Sequence, residues 1–170
     1  MISKNLHGVE WIEADEHSDE RGTFRSMAAP QSELPSGELC FSENPRVGTL
    51  RGLHCQRPPH GQRKAVFCVQ GSVFDVVVDL RKGSPTEGCW SGRTLTSGFG
   101  GCLLIPEGVA HGFLTLEPDS VVGYLTEGVF RAEAGLIVRW NDPRFEIDWP
   151  SEPRLISNKD QNAPDWDQFL

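Results

Sequence analysis

Nine consecutive residues, Ser72 to Leu80, read Ser-Val-Phe-Asp-Val-Val-Val-Asp-Leu, and across Gly71 lies a second β-rich run, Ala65 to Gln70. A strand as apolar as Ser72–Leu80 cannot keep one face in water, so two packed sheets are required to bury it. Asp75 and Asp79 inside such a strand need partners, which Arg81 or the basic residues upstream are expected to supply. The rest of the chain repeats the pattern. Trp90–Leu95, Cys102–Ile105, Val121–Thr126 and Leu136–Trp140 read as further strands, and Pro106–Phe113 turns the chain into another. Residues 1–17 form a β region, Asp19-Glu20-Arg21-Gly22 a turn into a short strand, and 28–37 a loop or one helical turn. Short strands punctuated by glycine and proline predict an all-β jelly-roll barrel or sandwich, one domain over 170 residues. Beyond Trp140, Asn141-Asp142-Pro143 and Trp149-Pro150 act as stops, and a short polar, irregular tail is expected to wrap the barrel.

Composition excludes several classes. No apolar run approaches the roughly 18 residues of a membrane span. The N-terminus, MISKNLHGVEW, lacks the apolar stretch of a signal peptide, which points to the cytoplasm. Five cysteines are scattered singly, an odd number that reads as reduced thiols and not as a disulfide frame or zinc site. A net charge of −8 and a pI near 5.1 argue against nucleic acid as partner.

Against that acidic background, no Asp or Glu occurs from Pro45 to Phe74, a window that carries Arg46, Arg51, Arg57, Arg63, Lys64, His54 and His60. It is either a solvated basic face or a pocket for an anion. On a strand, His54 and Gln56 share one face.

Pro106-x-Gly108-x-x-His111 resembles the second half of the cupin signature. The first half normally offers two histidines and a glutamate to a metal, whereas this chain offers His54, Gln56 and Lys64. A charged lysine has no lone pair for a metal, so the frame reads as converted from metal chemistry to proton chemistry. Asp19-Glu20-Arg21-Gly22-x-Phe24, Leu50-Arg51-Gly52-Leu53-His54-x-Gln56, Lys64, Asp75–Arg81, Ile105–Phe113, Tyr124, Trp140-Asn141-Asp142 and Lys159-Asp160 together resemble the dTDP-4-dehydrorhamnose 3,5-epimerase family along nearly the whole chain. The resemblance implies a dimeric cupin jelly roll that inverts carbons flanking the ketone of a nucleotide-linked 4-keto-6-deoxysugar, without metal or organic cofactor. It casts His54 as base, Asp160 as the carboxylate that orients it, Lys64 near the developing oxyanion and Tyr124 as acid. It assigns Arg21, Asn44, Arg51 and Lys159 to the nucleotide and its diphosphate, and Gln56 and His111 to the substrate.

The chain departs from the family at Ser26, Phe130 and Gly135, where a glutamate, a tyrosine and a glutamate are usual, and its Asn44–Arg51 segment is shorter. The catalytic set is intact and the sugar contacts are altered, which predicts epimerisation of a different sugar or of a different number of carbons. Two further readings are a metal cupin using His54, His60 and His111, and a nucleotide-sugar binder without turnover.

Overall fold

The computed structural model describes residues 5–27, 34–98 and 100–169, with side chains to Asp167. Among them the strands are β1 (Glu10–Glu13), β2 (Asp15–Asp19), β3 (Gly22–Ser26), β4 (Gly37–Asn44), β5 (Thr49–Gln56), β6 (Lys64–Gln70), β7 (Ser72–Asp79), β8 (Trp90–Thr96), β9 (Gly101–Ile105), β10 (Val109–Thr115), β11 (Ser120–Glu127), β12 (Gly135–Ile137) and β13 (Leu155–Ile156). A single turn of helix, α1, spans Asn158–Gln161. One sheet has the order β1-β9-β6-β11-β4 and the other β12-β5-β10-β7-β8, with β13 added beside β5 and β2-β3 standing apart as a hairpin. Apart from parallel β13, every strand pair is antiparallel. The two sheets close face to face as the expected jelly roll.

β7 has the place its composition demands. Val73 and Val77 point inward and pack with Val66, Leu103, Ile105 and Val122 of the opposite sheet. Val76 and Val78 point outward, where Leu136, Val138, Phe145 and Trp166 from the C-terminal segment cover them. Both faces of β7 are therefore dry, which is why alternation is absent from its sequence. The tail wraps the barrel as expected, but it contributes apolar cover as well as polar surface. Burying a side chain the size of Val or Phe contributes about 1.5–3 kcal/mol relative to leaving it exposed, so this cover is a substantial part of the fold.

Several expectations shift. The 1–17 region divides into β1 and part of β2, with residues 1–4 outside the described set. The loop expected over 28–37 falls mostly on residues 28–33, also outside it, and its end enters β4. β4 went unrecognised because it is an edge strand with exposed Leu39 and Phe41 on one side and polar residues near its ends. The strand expected over Leu136–Trp140 is regular only through Ile137; Val138 still exchanges both backbone hydrogen bonds with Leu53, and Trp140 begins a turn. Asp79 does pair with Arg81, but the partner of Asp75 is His111, outside the basic window.

The pairing of β5 with β10 positions the site. His111 faces His54 and Phe113 faces Arg51, so Gly52 and Leu53 together oppose the single residue Gly112. This is a β-bulge. In a regular strand residues 51 and 54 would project to opposite faces. The extra residue restores Arg51 and His54 to the same side, facing the interior that Phe113 and His111 also face. Gly52 has φ of +138° and a Cβ there would lie 2.6 Å from the Gly112 Cα, so the close approach of the two backbones requires glycine.

Candidate active site

A cavity of about 560 Å³ opens beside β5 and is lined by Arg51, His54, Lys64, Phe130, Lys159 and Asp160 among others. Asp160 comes to it from the far end of the chain. Parallel pairing of Leu155 and Ile156 with Thr49 and Leu50 brings the tail alongside β5, and Ser157 then caps α1 by accepting the Asp160 N–H at 3.1 Å. The Asp160 carboxylate is buried, with Oδ1 2.7 Å from His54 Nε2 and Oδ2 3.3 Å from the Gly52 N–H that donates to it. Burial by itself would raise the Asp160 pKa. The His54 hydrogen bond and charge, with the Gly52 and Ser157 contacts, outweigh it and hold the carboxyl below its usual range. A proton resting on His54 Nε2 then leaves Nδ1 free to accept another. The His54 side chain is 42% exposed, so ligands in the cavity can reach it.

Lys64 opens β6 and reaches the same cavity. Among the described residues its side chain makes no hydrogen bond or ion pair, and burial pushes its ammonium below the ordinary lysine pKa, a shift the nearby Cys55 opposes. A largely desolvated cation of this kind, without a partner among the described residues, is suited to meet negative charge that develops on a ligand.

Tyr124 and His111 stand deeper in the barrel. Tyr124, on β11, packs against the inter-sheet core, its ring edge-on to that of His111 with centroids 5.9 Å apart. Its hydroxyl has no hydrogen-bond partner among the described residues. Burial and the Asp75 charge raise its pKa far above that of an ordinary phenol, against the opposing influence of Arg51, so the group stays protonated. His111 Nε2 lies 2.7 Å from Asp75 Oδ2, both residues being buried. The barrel thus holds two histidine–carboxylate pairs on neighbouring strands, one against the cavity and one in the interior.

Arg51 Nε donates to Asn44 Oδ1 at 2.8 Å, and the Asn44 amide donates to the Ser42 and Ser120 carbonyls, so Asn44 fixes the guanidinium from behind. Gln56 is 3% exposed; its amide nitrogen donates to the His60 carbonyl and its oxygen accepts the Arg131 N–H. It ties together the two loops beside the cavity, which explains its presence without a ligand. Arg21 stands on the β2-β3 hairpin, bonded to Asp19 and 86% exposed, and is not part of the cavity wall; nor is Ser26, on β3. Phe130 and Gly135 do line the cavity. Among the described residues, no three His, Cys, Asp or Glu side chains come together as a metal site. Sequence reasoning missed Asp75 as the partner of His111, the Gly52 N–H and Ser157. Only the Ser-x-x-Asp spacing before α1, a capping pattern, signalled any of them.

The half-exposed histidine–carboxylate pair, the lysine without an ion-pair partner among the described residues and the protonated phenol give this cupin-type jelly roll groups that can take up and deliver protons. The chain belongs to the dTDP-4-dehydrorhamnose 3,5-epimerase family, whose profile matches residues 3–168. A dTDP-4-dehydrorhamnose 3,5-epimerase of Sinorhizobium fredii is 42% identical over 120 residues, covering 70% of this chain and 62% of the relative, so the aligned part spans less than two thirds of that protein. A dTDP-4-dehydrorhamnose 3-epimerase of Streptomyces niveus is 38% identical over 93% of this chain and 79% of its own. The structure of a 4-keto-6-deoxy sugar epimerase from the novobiocin gene cluster of Streptomyces spheroides superimposes with a TM-score of 0.91 at 34% identity, covering 97% of this chain and 86% of that one.

Proposed function

We propose that this protein inverts one or both carbons flanking the ketone of a dTDP-linked 4-keto-6-deoxyhexose, in the cytoplasm, as a step in deoxysugar formation. The observation that carries this reading is the 2.7 Å His54–Asp160 contact in the cavity that Lys64 also lines. A C–H beside a ketone is acidified because the resulting carbanion spreads onto the carbonyl oxygen. His54 removes that proton through Nδ1, and the imidazolium so formed is stabilised by Asp160. Lys64 offsets charge on the enolate oxygen; a preorganised donor of this kind contributes roughly 2.7–4 kcal/mol to an oxyanion transition state. Tyr124, kept neutral by burial, returns a proton to the opposite face, which inverts the centre. Arg51 and Lys159 hold the diphosphate, Arg51 through its forked donors. His111 and Gln56 act on the substrate indirectly, His111 by bordering Tyr124 and Gln56 by holding the two cavity loops.

The same reading proposes a homodimer. The outer face of the β1-β9-β6-β11-β4 sheet exposes Leu39, Phe41 and Val69, which a second copy would cover, and pairing there offers a way for the remote Arg21 hairpin to serve a neighbour's cavity. Relatives named as 3-epimerases and as 3,5-epimerases both match, and Phe130 removes a hydroxyl from the cavity wall, so the number of carbons inverted is part of the test. The test is deuterium incorporation from heavy water into dTDP-4-keto-6-deoxyglucose, followed by NMR, for the unmodified chain and His54→Ala. Incorporation at C3, C5 or both that the variant abolishes is expected. Absence of incorporation with the unmodified chain into this and other 4-keto nucleotide sugars overturns the reading.

A further inference from the structure

A second cavity, about 320 Å³, is lined from β1 and the residues before it, β7, β8 and β9, and shares none of the lining of the first. Leu6, Val9, Trp11 and Val77 supply apolar walls, and Asp75 and Arg93 supply charge, with the Arg93 guanidinium 3.9 Å over the Trp11 ring. Asp75 is 1% exposed, and while Oδ2 is engaged by His111, Oδ1 is buried and has no hydrogen-bond partner among the described residues. A buried carboxylate oxygen with no protein partner beside a cavity wide enough for several waters, each occupying about 30 Å³, is a site for ordered water.

The position of that site gives it a use. In the proposed reaction Tyr124 loses its proton to a carbon while ligand fills the His54 cavity, so water cannot restore the proton from that side. His54, by contrast, is open to the front cavity and can release the proton it gained when product leaves. Tyr124 borders His111, and His111 is bonded to Asp75, which lines the second cavity.

We propose that the second cavity is a water-filled proton inlet that recharges Tyr124 through His111 and Asp75. The inference rests on the epimerase reading. The phenolate oxygen left after proton donation, which makes no direct hydrogen bond to His111, takes one proton from the His111–Asp75 pair through a bridging water, the pair takes one from water at Asp75 Oδ1, and bulk solvent restores both waters. One proton enters from the rear for each that His54 discharges at the front, so the cycle closes without net gain. Asp75 and His111 are thereby positioning and relay residues, since neither touches the reacting carbon.

The experiment uses two variants and one structure. Val9→Phe places a ring in the second cavity away from every residue of the front site, and Asp75→Asn removes the relay carboxylate while keeping its shape. Both are expected to lower kcat about tenfold at unchanged KM, with a slowdown in heavy water larger than that of the unmodified chain. Wild-type kcat and isotope effect in a folded Val9→Phe protein overturn the proposal. So does a high-resolution crystal structure of the unmodified chain with no water on Asp75 Oδ1, a result that stands even where a variant fails to fold. A protein that epimerises normally with the inlet blocked refutes the inlet alone, whereas an unmodified chain inactive on every 4-keto nucleotide sugar refutes the epimerase reading.

Discussion

Asp160→Asn is expected to damage catalysis at least as much as Asp160→Ala, although asparagine is the closer match in shape. The carboxylate accepts from both His54 Nε2–H and the Gly52 N–H, at 2.7 and 3.3 Å. Asparagine has one acceptor for these two donors. If its oxygen stays toward the fixed backbone N–H, its NH2 group meets His54 Nε2, which must then become the acceptor. The imidazole is driven to carry its proton on Nδ1, the nitrogen needed as base. Alanine removes the orienting group but imposes no tautomer, and it forfeits a charged hydrogen bond of roughly 1.5–3 kcal/mol, about 10- to 150-fold in rate. Asparagine forfeits that and blocks the base, putting its loss toward the upper part of the roughly 10²- to 10⁴-fold range of general-base catalysis. The assay is kcat and KM from NMR-monitored epimerisation, beside deuterium exchange at the reacting carbon. An Asn variant within about threefold of wild type, or one affected only in KM, would refute the tautomer argument.

Three further outcomes follow from the same geometry. Tyr124→Phe should lower inversion by about 10²-fold or more while His54-dependent exchange at the carbon persists, as measured by comparing product formation with deuterium wash-in. Asp79, buried and bonded to Arg81, Ser84 and Thr86, should cost about 2–4 kcal/mol on change to Ala, read by urea unfolding at pH 7. Burial alone would raise the Asp79 pKa, but the Arg81, Ser84 and Thr86 hydrogen bonds drive it well below the ordinary carboxylate value. Its contribution is therefore present above that ordinary value and is lost as pH falls toward the depressed one, so the difference in stability should narrow in acid. Gly52→Ala should abolish activity out of proportion to its effect on substrate affinity, because the 2.6 Å clash with Gly112 breaks the bulge that puts Arg51 and His54 on one side; full activity in a folded variant would count against the bulge as the reason.

Much of this molecule is legible in its residues, for reasons specific to each segment. The largely apolar run of β7, broken only by aspartates that find partners, reads as a strand dry on both faces, and the glycine-punctuated strands around it required two sheets. Of the cationic window, Arg51, His54 and Lys64 line the cavity, whereas Arg46, Arg57, His60 and Arg63 do not, so the window combines cavity wall with outer basic surface. Its ordered match to a family also supplied His54, Lys64, Tyr124 and Asp160 together. β4 escaped because an edge strand with exposed Leu39 and Phe41 lacks the buried alternation that marks a strand in sequence. The family resemblance assigns Gln56 to the substrate, but neither resemblance nor strand periodicity tells whether backbone has already claimed its amide, as the His60 carbonyl and the Arg131 N–H have.

What the chain determines by itself is the set of chemical groups and, within a regular strand, the faces they occupy, because propensity, alternation and turn chemistry are local. Which groups meet was decided only by tertiary structure. His54 and Asp160 are 106 residues apart and touch because a two-residue parallel pairing lays the tail beside β5, while Asp75 meets His111 because their strands are neighbours in one sheet. A 2.7 Å contact depends on the path of the whole chain between its partners, and no short stretch of sequence encodes that path.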